Sequence, residues 1–324
     1  MRTRSFLSVS ALAALASFAL PALASDDFPT KPIRIVVGFP AGQGTDTIAR
    51  AVAPKLQAEL GQAFIVDNRA GAGGILGQQA AAAAAPDGYT VLFTSAGPMA
   101  VNPGVYEKLP YDPVKDYSAL AGTINVPLVL VANAKFPAKD VNELLALAKA
   151  KPGEINFGSS GNGVTNHLAM EMLSMAGGVK MMHVPYKGSP PALTDLMAGR
   201  VSVMFDTPVA VLPMIKDGRV KALAVSGSKR IAALPDVPTV AETLPGFSAV
   251  SWMGFVAPAK TPAPIVAKLS DAMVKVAKTP EMQNYFIAQG VEPMPMNAAE
   301  FGSFIKSEVA KWGKAAQAAG AKVD

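Results

Sequence analysis

The feature that most constrains the fold of this chain is the regular alternation of short apolar runs with longer helical patterns. The runs are nearly continuous in Val, Ile, Leu and Phe, as strands are when both faces of a mostly parallel sheet are covered by helices. The sequence therefore predicts the α/β class with doubly wound sheets. The predicted strands are 33–39, 63–68, 90–95, 127–133, 155–160, 180–186, 201–206, 220–227 and 252–258, and the helical patterns between them include 48–60, 75–85, 141–150, 166–176 and 191–197.

The N-terminus has the pattern of a secretory signal peptide. Arg2 and Arg4 precede an uncharged apolar run, and an A-x-A site ends at Ala24. We expect residues 1–24 to be cleaved after Ala24; the alternative, an uncleaved anchor helix, needs a longer apolar run. The chain has no cysteine, which excludes disulfides, thiolate metal sites and a cysteine nucleophile. An exported bacterial protein without disulfides fits the periplasm.

The charge of the chain argues against nucleic acid as a partner. The formal net charge is +5, but the basic residues are interspersed with acidic ones and form no run or stripe. Such a distribution favours small anionic ligands weakly and gives no electrostatic footprint for a polynucleotide.

The stretch "IRIVVGFPAGQGTDTIAR", residues 33–50, reads as a strand, a glycine loop and the start of a helix. Gly42 and Gly44 allow the backbone to approach a ligand closely, and Thr45 or Asp46 is a candidate cap for a helix that begins near Thr47. Backbone N–H groups and the helix dipole then favour an anion at this position. The alternative is an ordinary strand-to-helix turn without a ligand.

A dinucleotide site is a second alternative for this loop. The G-x-G is present, and Asp67 ends the next strand at the distance of a ribose-binding acid. However, Thr47 stands where the third glycine belongs, and no GK[ST] follows. We therefore predict neither a nucleotide nor another cofactor.

A second segment, "INFGSSGNGVTNHLAMEML", repeats the order of strand, glycine loop and helix. Gly161 and Gly163 lie in its loop, with Thr165 as the candidate cap. Two further strand ends present Ser95 and Asp206. Carboxyl ends of parallel strands are the binding edge of α/β proteins, so two such edges facing each other form a two-lobed clamp.

Catalytic chemistry has little support. "GSSGNG" does not match the G-x-S-x-G nucleophile elbow, which leaves a periplasmic hydrolase as a weak alternative. His167 and His183 are the two histidines, far apart in sequence, and predict no metal site. Repeats or a stalk, which a structural role would need, are not visible.

Taken together, five segments resemble a known family, the periplasmic solute receptors of tripartite tricarboxylate transporters, also called Bug receptors. The segments are "PTKPIRIVVGFPAGQGTDTIAR", "DNRAGAGGILGQQAAAAAAPDGYTVLFTS", "GSSGNGVTNHLAMEML", "HVPYKGSPPALTDLMAGRVSVMFD" and "KRIAALPDVPTVAETLPGF". They occur in the family's order over nearly the whole chain after the signal peptide. The resemblance implies two α/β lobes joined by crossing strands, which close on a ligand like a flytrap.

The resemblance also implies the ligand class and the site. Family members bind small carboxylates, such as di- and tricarboxylates, acidic amino acids and aromatic acids, and hold one carboxylate through the backbone and ordered water. The family loop usually reads P-A-G-G, so Gln43 is a departure that either adds a donor to the pocket or points to solvent. The residues that the resemblance implies as ligand contacts are Phe39, Ala41, Gly42, Thr45, Asp46, Ser160, Gly161, Asn162, Gly163, Thr165 and His167. Gln43, Ser95 and Asp206 are further candidate contacts.

Lobes and partners follow from the same resemblance. We expect residues 25–125 together with 247–324 to form lobe 1 and residues 126–246 to form lobe 2. The expected partner is a two-subunit membrane permease, and the protein is expected to be a monomer. A sensor or orphan receptor without a dedicated permease is the alternative within the family.

Overall fold

The computed structural model describes residues 28–318, which fold into two α/β lobes around separate sheets. The predicted signal peptide lies outside the described residues. The strands of the described part are β1 (Ile33–Val37), β2 (Phe64–Asn68), β3 (Thr90–Ser95), β4 (Tyr117–Pro127), β5 (Val129–Asn133), β6 (Asn156–Ser159), β7 (Met182–Pro185), β8 (Val203–Asp206), β9 (Val220–Val225), β10 (Val250–Pro258) and β11 (Glu292–Met296).

The helices cover both faces of these sheets. They are α1 (Gly44–Leu60), α2 (Ile75–Ala82), α3 (Asn102–Val105), α4 (Val141–Ala150), α5 (Thr165–Gly177), α6 (Ser189–Met197), α7 (Pro208–Lys216), α8 (Ala263–Lys278), α9 (Pro280–Ala288) and α10 (Ala298–Ala318). Short 3-10 turns occupy Ala72–Gly74 and Val240–Glu242, and a π turn occupies Gly97–Val101. Within 28–318, no helix combines the length and the apolar character that a membrane span requires.

The first lobe is built on a six-stranded sheet in the order β11-β4-β10-β3-β1-β2. Its side chains alternate between two cores, because successive residues of a strand point to opposite faces. Ile35 and Val37 of β1 pack with α1 and α8, whereas Val36 packs with α2 and α10. The sheet is thus buried on both faces, as the apolar runs predicted.

The second lobe is built on a five-stranded sheet in the order β7-β6-β8-β5-β9. Parallel pairs join β6 to β7 and to β8, and β5 runs antiparallel to β8 and β9. In the first sheet, β1 is parallel to β2 and β3, while β10 is antiparallel to β3 and β4. The two-lobed α/β class is confirmed, with mixed rather than wholly parallel sheets.

The chain crosses between the lobes at two adjacent points. β4 ends at Pro127, and β5 begins in the other sheet after the single residue Leu128. The return crossing lies beside it, since Val250 of β10 pairs with Pro127. Ser226 ties the crossings together: its Oγ accepts from the Leu128 N–H at 2.8 Å and donates to the Ala249 carbonyl at 2.6 Å. One buried serine therefore ties the two crossing segments to each other.

Three local predictions differ from the structure. Helix α1 begins at Gly44 and not near Thr47, with Gln43 at its N-cap; Thr45 and Asp46 lie in its first turn and do not cap it. Helix α5 begins at Thr165, and the side chain of its N-cap residue, Val164, cannot accept a hydrogen bond. The predicted caps are wrong because both helices start one or more residues earlier than the polar side chains indicate.

Candidate functional site

The carboxyl ends of strands from both lobes meet at two neighbouring cavities. The inner cavity has a volume of about 40 Å³, and the outer cavity one of about 310 Å³. Phe39 and Ser160 line both. The inner cavity is otherwise lined by Gln43, Thr45, Ser95, Gly97, Leu128, Val164, Thr165, Asn166, Asp206, Thr207, Ser251 and Met253, and the outer one by Gly38, Pro40, Gly71–Gly74, Tyr106, Gly161, Asn162 and Pro185–Gly188.

Three helices point their N-termini at the inner cavity. The N-cap residues of α1, α5 and α7 are Gln43, Val164 and Thr207, which all line it, and none makes a side-chain capping hydrogen bond. The first N–H groups of a helix have no partner within the helix, and its dipole places partial positive charge there. Three such ends around one cavity favour an anion there without an Arg or Lys side chain in its lining.

The first-lobe loop is held by an internal network around Asp46. Its carboxylate accepts from the Gly42 N–H at 2.9 Å, from Arg50 Nε at 2.9 Å and from Asn68 Nδ2 at 2.9 Å. Burial alone would raise the pKa of Asp46, but the hydrogen bonds from Arg50, Gly42 and Asn68 hold it below its usual value. Asp46 therefore stays ionised and fixes the loop. Gly42 has a φ of +80°, a conformation that side chains with a Cβ rarely adopt.

Gln43 bridges the two lobes. Its Oε1 accepts from the N–H of Ser189, the first residue of α6 in the second lobe, at 3.2 Å. The side chain is buried and also lines the inner cavity. Its Nε2 has no hydrogen-bond partner among the described residues, so this amide is available to a bound acceptor. Of the two interpretations of Gln43, the structure favours the pocket over solvent.

The second-lobe loop is fixed by Asn166 and meets the first lobe through Asn162. Asn166 Oδ1 accepts from the N–H and the hydroxyl of Ser160 at 3.3 and 3.2 Å. The Asn162 carbonyl accepts from the Tyr106 hydroxyl of the first lobe at 3.2 Å. Together with the Gln43–Ser189 contact, this hydrogen bond joins the two lobes around the two cavities.

Asp206 ends β8 at the wall of the inner cavity and is 2% exposed. Its Oδ1 accepts from the Thr207 N–H at 2.7 Å, and its Oδ2 has no hydrogen-bond partner within 28–318. The buried hydroxyls of Ser189 and Thr207 lie beside this carboxylate and favour its ionised form, without well-aligned hydrogen bonds to it. Burial raises the pKa of Asp206 to about 6. Asp206, Ser189 and Thr207 thus form a buried polar cluster, of which Asp206 and Thr207 belong to the lining of the inner cavity.

The two histidines stack on each other inside the second lobe, away from both cavities. Their ring centroids are 3.9 Å apart, and Phe157 stacks on His183 at 4.9 Å. His183 Nε2 lies 2.6 Å from the Ser159 hydroxyl. Burial, and then the neighbouring His167, lowers the pKa of His183 to about 4. His167 Nδ1 accepts from the Gly163 N–H at 3.3 Å, so both rings support the second glycine loop.

The structure brings most of the predicted site residues to the cavities. Phe39, Gln43, Thr45, Ser95, Ser160, Thr165 and Asp206 line the inner cavity, and Gly161 and Asn162 line the outer one. Ala41, Gly42, Asp46, Gly163 and His167 line neither. Asp46, Gly163 and His167 instead make the loop contacts described above.

Sequence reasoning missed several cavity residues. Tyr106, Tyr186 and Lys187 line the outer cavity, and Ser251 and Met253 line the inner one from the crossing strand β10. The segment "HVPYKG" could have been predicted as part of the site, because it lies at the end of a predicted strand. Ser251 and Met253 could not, since no local pattern distinguishes a crossing strand from other strands. Among residues 28–318, no group of three or more His, Asp and Glu side chains has a metal-binding arrangement.

Two α/β lobes, joined by crossing strands and closed over a polar cleft, define the class of periplasmic binding proteins. The profile of the tripartite tricarboxylate transporter family receptors matches residues 48–321. The chain belongs to this family of solute-binding receptors, which confirms the resemblance seen in its sequence.

Individual relatives cover nearly the whole chain. Protein BugT of Bordetella pertussis is 36% identical over 323 residues, 99% of each chain. The structure of Rpa4515 of R. palustris with adipate is 34% identical with a TM-score of 0.89, covering 91% of this chain and 100% of the other. MatC (Rpa3494) of Rhodopseudomonas palustris with bound malate is 32% identical with a TM-score of 0.84, covering 89% and 99%.

Proposed function

We propose that this chain is a periplasmic receptor that captures a small carboxylate between its lobes and delivers it to a two-subunit membrane permease. The observation that carries the proposal is the convergence of the α1, α5 and α7 N-termini on the inner cavity, whose walls hold no Arg or Lys. Each charge-assisted hydrogen bond to the carboxylate contributes about 1.5–3 kcal/mol. Relatives with bound adipate and malate support the same ligand class.

The outer cavity can hold the part of the ligand beyond its first carboxylate. It is larger, and Lys187 with two tyrosines contributes to its walls. One carboxylate at the helix N-termini and a second polar group in the outer cavity would span both lobes, and binding would then stabilise their contact.

The protein acts without chemistry on its ligand. Among residues 28–318, the Ser159–His183 contact is the one arrangement that resembles a hydrolase pair, but Ser159 is 0% exposed and its hydroxyl donates to the Gly161 carbonyl at 2.9 Å. A nucleophile must reach its substrate, so this serine has a structural role. Cleavage after Ala24 would release the mature protein into the periplasm, where it functions as a monomer.

The proposal is tested by calorimetry of the mature protein with dicarboxylates and their diamides, such as succinate with succinamide and adipate with adipamide. We expect at least one acid to bind and its diamide to bind at least tenfold more weakly, since an amide lacks the charge that the helix ends stabilise. Equal affinities, or no binding by any carboxylate, would overturn the proposal. Loss of uptake of the bound acid in cells without the receptor tests the permease step.

A matched pair of variants locates the anion. Thr165→Asp places a negative charge at the α5 N-terminus and should weaken carboxylate binding at least tenfold through like-charge repulsion. Ser303→Asp adds the same charge on the exposed side of α10 and should leave the affinity unchanged. An unchanged affinity in a folded Thr165→Asp protein would remove the α5 N-terminus from the site.

A further inference from the structure

The stacked histidines contact the second glycine loop, residues 160–163, and their contacts define where each neutral ring carries its proton. Ser159 donates its one hydroxyl proton to the Gly161 carbonyl, so the 2.6 Å contact with His183 requires a proton on Nε2 of that ring. His167 Nδ1 accepts from the Gly163 N–H at 3.3 Å, so this ring also carries its proton on Nε2. The loop is therefore held by two neutral imidazoles.

This loop belongs both to the cavities and to the contact between the lobes. Ser160 lines both cavities, and Gly161 and Asn162 line the outer one. The Asn162 carbonyl accepts from the Tyr106 hydroxyl of the first lobe, and a Cβ built on Gly163 would lie 2.8 Å from the Tyr106 ring. A displacement of Gly163 would thus reach the ligand cavities and the first lobe together.

The contacts of the two rings indicate that the first added proton goes to His167. Glu171, one turn further along α5, lies 3.6 Å from His167 Nε2 and stabilises a positive charge on this ring. His183 accepts a proton less readily, because burial, and then His167, lowers its pKa to about 4. The free nitrogen of His167 is Nδ1, which accepts from Gly163. Protonation therefore replaces this hydrogen bond by two N–H groups that face each other.

The neighbouring strands add one further titratable group. β6 presents Phe157 and Ser159 to the rings, and neither titrates. β8, which α5 also contacts, ends at Asp206, whose pKa burial raises to about 6. Protonation of Asp206 removes a negative charge from the inner cavity and favours an anion there, in opposition to an effect of acid through His167. A test must therefore compare proteins that share Asp206 and differ at His167.

We propose that neutral His167, supported by the stacked ring of His183, positions the second glycine loop for ligand binding, and that a proton on His167 weakens binding. The inference rests on the proposed carboxylate-binding function. Neither ring lines a cavity, so both act through the loop. Because binding favours the neutral ring, a bound ligand must in turn make His167 harder to protonate.

Imidazole NMR signals of the untagged mature protein measure this linkage directly, because the chain has two histidines. The protein is titrated from pH 8 to 5 alone and with saturating succinate or adipate. Ligand should lower the pH midpoint of His167 protonation by at least about 0.5 unit, the equivalent of a threefold loss of affinity on protonation. An unchanged midpoint would overturn the inference. A raised midpoint, which simple attraction between a charged ring and the bound anion predicts, would overturn it as well.

Two substitutions separate the acceptor of His167 from its titration. His167→Asn places an amide oxygen near the position of Nδ1, so it keeps an acceptor for Gly163 and takes up no proton. By calorimetry it should bind the same acid within about threefold of the native affinity at pH 7.5, and lose less affinity at pH 5.5. His167→Phe keeps a ring for the stack without the acceptor, and should bind at least threefold more weakly at pH 7.5. Parallel pH profiles of the native and His167→Asn proteins would contradict the proposal.

The native titration decides the question even if a variant fails to fold. Binding of a dicarboxylate with an unchanged His167 midpoint leaves the carboxylate receptor standing and removes only the role of His167. Absence of binding by every dicarboxylate, at any pH, removes the receptor function and this inference with it.

Discussion

Gly44, the first residue of α1, lies against Thr207 of the second lobe. A Cβ built on this residue would lie 2.4 Å from Thr207 Oγ1 of the second lobe, well inside any contact distance of real Cβ atoms. The backbone of Gly44 is helical, so an alanine would cause no conformational strain. The absence of a side chain at Gly44 therefore allows the second lobe to approach, and the backbone conformation of the loop does not depend on it.

We expect Gly44→Ala to weaken ligand binding at least tenfold while the unliganded protein remains folded, because the new methyl group holds the lobes apart. Small-angle scattering at saturating ligand should show a larger radius of gyration than in the native complex. Truncating the opposing side chain in Gly44→Ala/Thr207→Ala should recover much of the affinity, and Thr207→Ala alone serves as the control. Native affinity in Gly44→Ala would mean that the lobes do not meet here when ligand is bound.

At the scale of elements, the loop between β1 and α1 makes one set of contacts within its own lobe and another with the opposite lobe. Asp46, Arg50 and Asn68 hold the loop within the first lobe. Gln43 extends from the same loop to the start of α6 in the second lobe. The loop is thus preorganised by one set of hydrogen bonds and joined to the opposite lobe by another.

Two substitutions of Gln43 distinguish the contribution of its Oε1, which accepts from Ser189, from that of its Nε2. Gln43→Ala removes the bond to Ser189 and should weaken carboxylate binding about three- to tenfold, the equivalent of one neutral hydrogen bond. Gln43→Glu keeps an acceptor for Ser189 but loses the amide donor and adds a negative charge beside the ligand, so its loss of affinity should be larger. Calorimetry gives both values.

Gln79→Glu is the control for the added charge, because Gln79 is exposed on α2 of the same lobe. It should bind ligand as the native protein does. If Gln43→Glu bound a carboxylate as tightly as the native protein, Gln43 Nε2 would not face the ligand anion.

At the scale of the whole molecule, the partly buried His183 and the buried Asp206 respond to acid in opposite directions. The pKa of His183 is lowered to about 4 by burial and by His167, so the unfolded chain takes up this proton more readily and stability falls as the pH drops from about 6.5 to 4. The pKa of Asp206 is raised to about 6 by burial, so the folded protein takes up this proton more readily and stability rises as the pH drops from about 6 to 4. The two effects oppose each other over nearly the same interval.

We therefore expect the two variants to change with pH in opposite senses relative to the native protein. On going from pH 7 to 4.5, Asp206→Asn should lose about 2 kcal/mol more of its free energy of unfolding than the native protein. His183→Gln should lose about 1–2 kcal/mol less, a figure reduced for partial solvent screening of this half-buried ring. Chemical unfolding at the two pH values measures both. Parallel pH profiles for the three proteins would contradict this account.

Much of the architecture was predictable because it rests on local periodicity. The apolar runs around β1, β3, β6 and β8 correspond to observed strands, and the helix α4 has the predicted bounds. Among the elements that were not anticipated, β11, β4 and α7 show why. β11 contains two prolines and is tolerated at an edge of the sheet, β4 contains Gly122 and polar residues, and α7 contains Pro213. In each, tertiary contacts outweigh an unfavourable local sequence.

The sequence alone determined the α/β class, the family, and the set of glycine loops and strand ends from which the candidate site is built, because these depend on residue type and short-range spacing. Only the tertiary structure decided which atoms meet. The Gln43–Ser189 contact joins residues 146 positions apart, the closed cleft buries Asp206, and the stacking of His167 on His183 depends on the packing of α5 on the second sheet. Such contacts arise from the relative placement of the lobes and from burial, and neither quantity is encoded in any short stretch of the chain.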